Sequence, residues 1–159
     1  MPWLVNERDG SHCSRRVTRM ISSEAIKSYA GRAKVNLHIA DEKLQEGVLR
    51  VIGRGMFEAV AALRLLKQIC EMATSRHVNK ILVNALALDG TVSELDRYQV
   101  AVDLTGYLQE QGWNYRLAIV GKSPTVDAFG VRVAQNRGLT AEYFSTEQEA
   151  LNWLNRWPD

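Results

Sequence analysis

Three short apolar runs, KILVNA (80–85), YRLAIVG (115–121) and TAEYF (140–144), are separated by stretches with helical spacing, and this constrains the fold most. Short continuous apolar runs read as strands covered on both faces, which is the situation of parallel strands with helices packed on them. Parallel neighbours need a crossover of a dozen or more residues, and the intervening segments supply it. The chain is therefore expected to form an α/β domain with a mostly parallel sheet and right-handed crossovers.

The upstream segments complete the pattern. KVNLHIA (34–40) alternates Val35, Leu37 and Ile39 on one face, DEKLQEG reads as a polar connection, and VLRVIGRG (48–55) reads as a second strand. The link is too short for a crossover, so these two strands are predicted to pair antiparallel as a hairpin. Residues 56–77 form a predicted helix with Met56, Val60, Leu63, Leu66, Cys70 and Ala73 on one stripe. Residues 93–112 form another, with Leu95, Tyr98, Val102, Thr105 and Leu108 inward and Gly112 at its end. For residues 123–138, Ser123 reads as the N-cap, Pro124 as the first helical position and Gly138 as the stop. Residues 145–157 close the chain, with Thr146 and Glu149 as a capping box. Tyr143, Phe144, Trp153 and Trp157 read as core packing under this last helix. The predicted order is β-β-α-β-α-β-α-β-α: a single domain over residues 35–159.

Residues 1–34 stand apart. They carry seven Lys/Arg against three Asp/Glu, whereas the remainder carries thirteen against fifteen. The arm lacks aromatic interleaving and any nucleic-acid motif, so it reads as a partly disordered basic tail with at most a short helix over 21–31, and no nucleic-acid partner is expected. No apolar run reaches the roughly 18 residues of a membrane span, and no hydrophobic stretch follows SRRVTR as an export signal requires. A cytoplasmic protein without membrane insertion is the expectation.

Chemistry-bearing motifs are scarce. Cys13 and Cys70 make no disulfide framework, and with His12, His38 and His77 they do not have metal-ligand spacing. GKS at 121–123 lacks the upstream glycine of a phosphate loop, since position 116 is Arg, and GRG at 53–55 is too short for a dinucleotide fingerprint. No nucleophile–base motif accompanies the histidines. No cofactor, no metal and no enzymatic activity are expected.

Ligands of open α/β sheets gather beyond the carboxyl ends of the strands. Here those ends are residues 53–58, 87–94, 121–125 and 145–149. Within ALALDGTVSELDRY (85–98), Asp89-Gly90 is a turn former, and either Thr91 with Glu94 or Ser93 with Asp96 can cap the following helix. One cap suffices, which leaves the other hydroxyl and Asp89 for a functional role. The candidate partner or switch loops comprise Asp89, Gly90, Thr91, Ser93 and Glu94, together with Lys122, Ser123 and Thr125.

KILVNALALDG followed by a helix, YRLAIVGKSP followed by a helix, and the closing AEYFSTEQEALNWL together resemble the SpoIIAA-like branch of the STAS (sulfate transporter and anti-sigma factor antagonist) superfamily. The resemblance covers roughly residues 35–155. It implies a small α/β domain that works by binding a protein partner rather than by turnover. It also implies a phosphate-accepting Ser or Thr in the loop after the central strand, here Leu88-Asp89-Gly90-Thr91-Val92-Ser93. Gly90 stands where the first hydroxyl of that motif falls, so Thr91 or Ser93 becomes the acceptor. The fold also resembles the lipid-binding CRAL-TRIO domain, which implies an alternative: a carrier or sensor of a small apolar, lipid-like ligand between sheet and helices. Met56, Phe57, Leu86, Leu88 and Phe129 are the candidate lining residues. A homodimer fits a small regulatory domain of this type.

Overall fold

The computed structural model describes residues 35–158. Strands β1 (His38–Gln45), β2 (Val48–Met56), β3 (Lys80–Asp89), β4 (Arg116–Val120) and β5 (Thr140–Phe144) form one sheet in the order β1-β2-β3-β4-β5. β1 pairs antiparallel with β2, and every later pairing is parallel. The helices are α1 (Ala59–Ser75), α2 (Glu94–Gln111), α3 (Ala128–Asn136) and α4 (Glu147–Asn155). The α/β architecture and the element order are those read from the sequence.

The strand order decides where the helices go. A parallel sheet that advances in one direction through crossovers of one hand places every connecting helix on the same face. Accordingly α1, α2 and α3 share one core with alternate strand residues, including Leu49, Val51, Ile81, Val83 and Leu117. The other parity, Val48, Leu82, Ala118 and Val120, faces Ala150 and Leu154 of α4. Among the described residues, one nine-residue helix covers the second face of the sheet. Polar clamps hold it at both ends. Arg50 donates to both carboxylate oxygens of Glu147 in its first turn, at 3.0 and 2.8 Å, and Lys80 donates to the Trp157 carbonyl beyond its last turn at 2.8 Å.

Several sequence expectations shift. The first strand runs over His38–Gln45 rather than 34–40, and the connection shrinks to Glu46-Gly47, both at positive φ (51° and 74°). Two central residues at positive φ make the tight hairpin turn whose twist suits paired strands. β1 was hidden because it is an edge strand exposed along nearly its whole length, so it shows no alternation, only the charges that discourage edge pairing. Val35 is exposed and precedes the strand. Met56 ends β2 instead of opening a helix, and Val60 is 73% exposed, because α1 turns Ala62, Ile69, Cys70 and Ala73 inward.

On α2 the inward residues are Val100, Ala101, Leu104, Thr105 and Leu108, while Leu95 (73%) and Tyr98 (43%) are exposed. The first turn of α2 turns Arg97 inward and leaves these two outside. The helix expected from Ser123 starts at Ala128, with Asp127 as N-cap accepting from the Phe129 N–H at 3.0 Å. Ser123 caps nothing, since residues 121–127 form a loop instead. Phe144 and Trp153 do pack together under α4, at 5.8 Å between ring centroids. Tyr143 packs on the opposite core, and Trp157 is partly exposed with Arg116 over its ring. Residues 1–34, including the basic arm, its short helix, His12 and Cys13, lie outside the described residues.

Candidate functional site

β2, β3, β4 and β5 end on one rim, and the loops that leave β3 and β4 meet there. β3 runs out at Asp89, whose carbonyl accepts from the Phe57 N–H at 2.9 Å and so ties it to the end of β2. Gly90 then turns the chain at φ +103°, a conformation that disfavours a Cβ. The Gly90 carbonyl accepts from the Thr125 hydroxyl at 2.6 Å, so the 87–94 and 121–125 loops are joined directly.

Ser93, not Thr91, caps α2. Its Oγ accepts from the Asp96 N–H at 3.1 Å and donates to the Asp96 carboxylate at 2.8 Å. The Thr91 side chain is exposed, and among the described residues no hydrogen bond engages its hydroxyl. Asp89, Glu94, Lys122 and Ser123 are also exposed, whereas Gly90 and Thr125 are half-buried in the seam between the loops. Leu95 and Tyr98 extend the rim with apolar surface.

A second tie between the loops escapes sequence reasoning. The Arg97 side chain is 12% exposed and donates to the Asp127 carboxylate at 2.6 Å and to the Pro124 carbonyl. Its Nε is buried without a partner among the described residues. Arg97 therefore binds α2 to the β4–α3 loop and to the cap of α3. In the sequence its visible partner is Glu94, one helical turn earlier; Asp127 is thirty positions away. Only the strand pairing brings them together.

Beneath this rim, between the sheet and α1–α3, lies an apolar cavity of about 120 Å³. Six of its lining residues are Ala or Gly (Ala62, Ala85, Ala101, Gly130, Ala134 and Ala141), which is why the space is left open. Phe57 and Leu88 line it, while Met56, Leu86 and Phe129 do not. The register explains the β3 residues. Ile52 pairs with Asn84 and Arg54 with Ala87, so β3 carries one extra residue there. Ala85 keeps the parity of Ile81 and Val83, the bulge turns Leu88 to the same face, and Leu86 stays exposed.

Cys70 is buried on α1, and desolvation, with a smaller effect from Glu71, pushes its thiol up to about 12, so it stays protonated. Among the described residues no three His, Cys, Asp or Glu gather to hold a metal ion, and no helix is long and apolar enough to cross a membrane.

No family model and no curated protein matches the chain. Similar solved structures include an anti-sigma factor antagonist from Mycobacterium paratuberculosis, at 13% identity and TM-score 0.51, covering 75% of this chain and 94% of that one. An RsbS variant from Moorella thermoacetica aligns at 15% identity and TM-score 0.44, over 77% and 97% of the two chains. An uncharacterized DUF3478-family protein with a SpoIIAA-like fold from Shewanella loihica aligns at 17% identity and TM-score 0.42, over 75% and 93%. At such identities the likeness is one of architecture: the chain shares the α/β fold of an anti-sigma factor antagonist.

Proposed function

We propose that the chain is a non-catalytic regulatory module that docks a protein partner on the rim formed by residues 87–94 and 121–125. The observation that carries this reading is the joined loop pair beside an uncovered apolar step. Thr125 locks onto Gly90, and Leu95 and Tyr98 stand exposed next to the acidic and hydroxyl side chains of the first loop. Exposed apolar residues rimmed by polar ones are what a transient interface uses. The fold shared with an anti-sigma factor antagonist supports it.

Thr91 is the residue through which such docking is switched. Its hydroxyl is not needed for the α2 cap, whereas Ser93 is committed to Asp96. A phosphate on Thr91 would sit close in sequence to Asp89 and Glu94, and the like charges would reshape the loop. The test pairs partner capture with folding controls. Asp89→Ala and Thr91→Ala are expected to abolish capture with unchanged circular dichroism, while Asn79→Ala on the opposite rim keeps it. Capture at wild-type level by both rim variants would sink the proposal.

A further inference from the structure

We infer that the cavity between the sheet and α1–α3 is a binding site for a small, uncharged, wholly apolar molecule about the size of one benzene ring. Two observations set the chemistry. The walls are almost entirely hydrocarbon, and the polar groups at the rim end are already committed: Arg97 to Asp127 and Pro124, Thr125 to Gly90. Among the described residues, the one buried side-chain nitrogen without a partner is Arg97 Nε. Water entering would find few of the two to four partners it needs, so the space favours an uncharged, apolar occupant.

Volume sets the size. About 120 Å³ is somewhat below the roughly 150 Å³ of an apolar cavity known to take up benzene or xenon, and well below the ~300 Å³ at which ordinary ligand pockets begin. The lipid-like ligand anticipated from the sequence is therefore replaced by a compact one. Entry is from the rim, where Phe57, Leu88 and Val126 belong both to the lining and to the loop roots. This site stands independently of partner docking, and either can fail without the other.

The experiment is a titration with benzene, followed by methyl-resolved NMR and a thermal melt. Methyl resonances of Leu66, Val83, Leu104 and Val131, which line the cavity, are expected to shift, and the melting temperature to rise. Ala134→Leu fills the space from α3 and is expected to weaken benzene binding at least tenfold. If that variant does not fold, Ala85→Val provides the same comparison from β3. Lack of methyl shifts at saturating benzene, shifts confined to residues elsewhere, or equal affinity in the filled variant would each overturn the assignment. Binding of decane as tight as that of benzene would overturn the size limit.

Discussion

Removing the two halves of the Arg97–Asp127 pair should not cost the same. Arg97 is the more deeply buried, at 12% exposed against 30% for Asp127, and one of its nitrogens already lacks a partner. Asp127→Asn keeps an N-cap side chain for α3 but leaves the guanidinium facing a neutral amide in a largely dry setting. Breaking a buried pair by removing one partner costs about 3–5 kcal/mol, and the partial exposure here brings the expectation down to about 2–3 kcal/mol. Arg97→Met keeps the hydrocarbon stem and removes the charge together with its orphaned nitrogen. The carboxylate left behind is more exposed and still accepts from the Phe129 N–H, so the cost falls to about 1 kcal/mol. The double variant should therefore be more stable than Asp127→Asn alone. Urea unfolding at constant m-value measures all three, with the midpoints converted through the shared slope. Equal losses for the two single variants, or no recovery in the double, would refute the claim that a buried guanidinium is what Asp127 stabilises.

Two further outcomes follow from the packing. Leu154 is fully buried and is one of only two buried residues by which α4 covers its face, so Leu154→Ala is expected to cost about 2–5 kcal/mol in the same urea assay. Cys70 titrates near 9 in the unfolded chain and at about 12 when folded, so between these values the unfolded state has released a proton that the native state keeps. Stability is thus fully present below pH 9 and declines above it by up to about 1.4 kcal/mol per pH unit, and Cys70→Ala should flatten that alkaline slope.

The segments that the sequence reveals best are those whose burial leaves a periodic record. β4 and β5 fall within a residue of their apolar runs, because all of their residues but Thr140 are buried or half-buried. β1 leaves no such record, since apart from Ile39 it is exposed along its length. α2 misleads in the opposite direction. Leu95, Tyr98 and Val102 have the spacing of a core stripe, yet the first two are exposed, and the helix buries a neighbouring stripe that includes small residues. An apolar stripe left outside is itself informative, as it marks the surface on which the docking proposal rests. Of the rim residues, Asp89, Thr91 and Ser93 are visible in the sequence as turn and cap chemistry. Arg97 and Asp127 are not, because their pairing depends on β3 and β4 lying side by side. The cavity is equally invisible. It arises from six small residues on different elements, none of which departs from its own local pattern.

The one-directional sheet also explains why the polar clamps fall where they do. Three helices on one face leave the other to α4, whose two buried residues supply little apolar area with which to fix its position. A bidentate guanidinium–carboxylate contact adds geometry that apolar packing alone does not impose, and Glu147 in the first turn also complements the helix dipole. Lys80 at the far end meets the carbonyl left beyond the last turn, which fixes the helix along its axis. The loops that carry the rim are tied to α2 and α3, on the opposite side of the sheet. The Glu147 clamp is also joined to the root of the rim, since Asn84 donates to Glu147 and accepts from the Leu86 N–H, so the position of α4 and the end of β3 are set together.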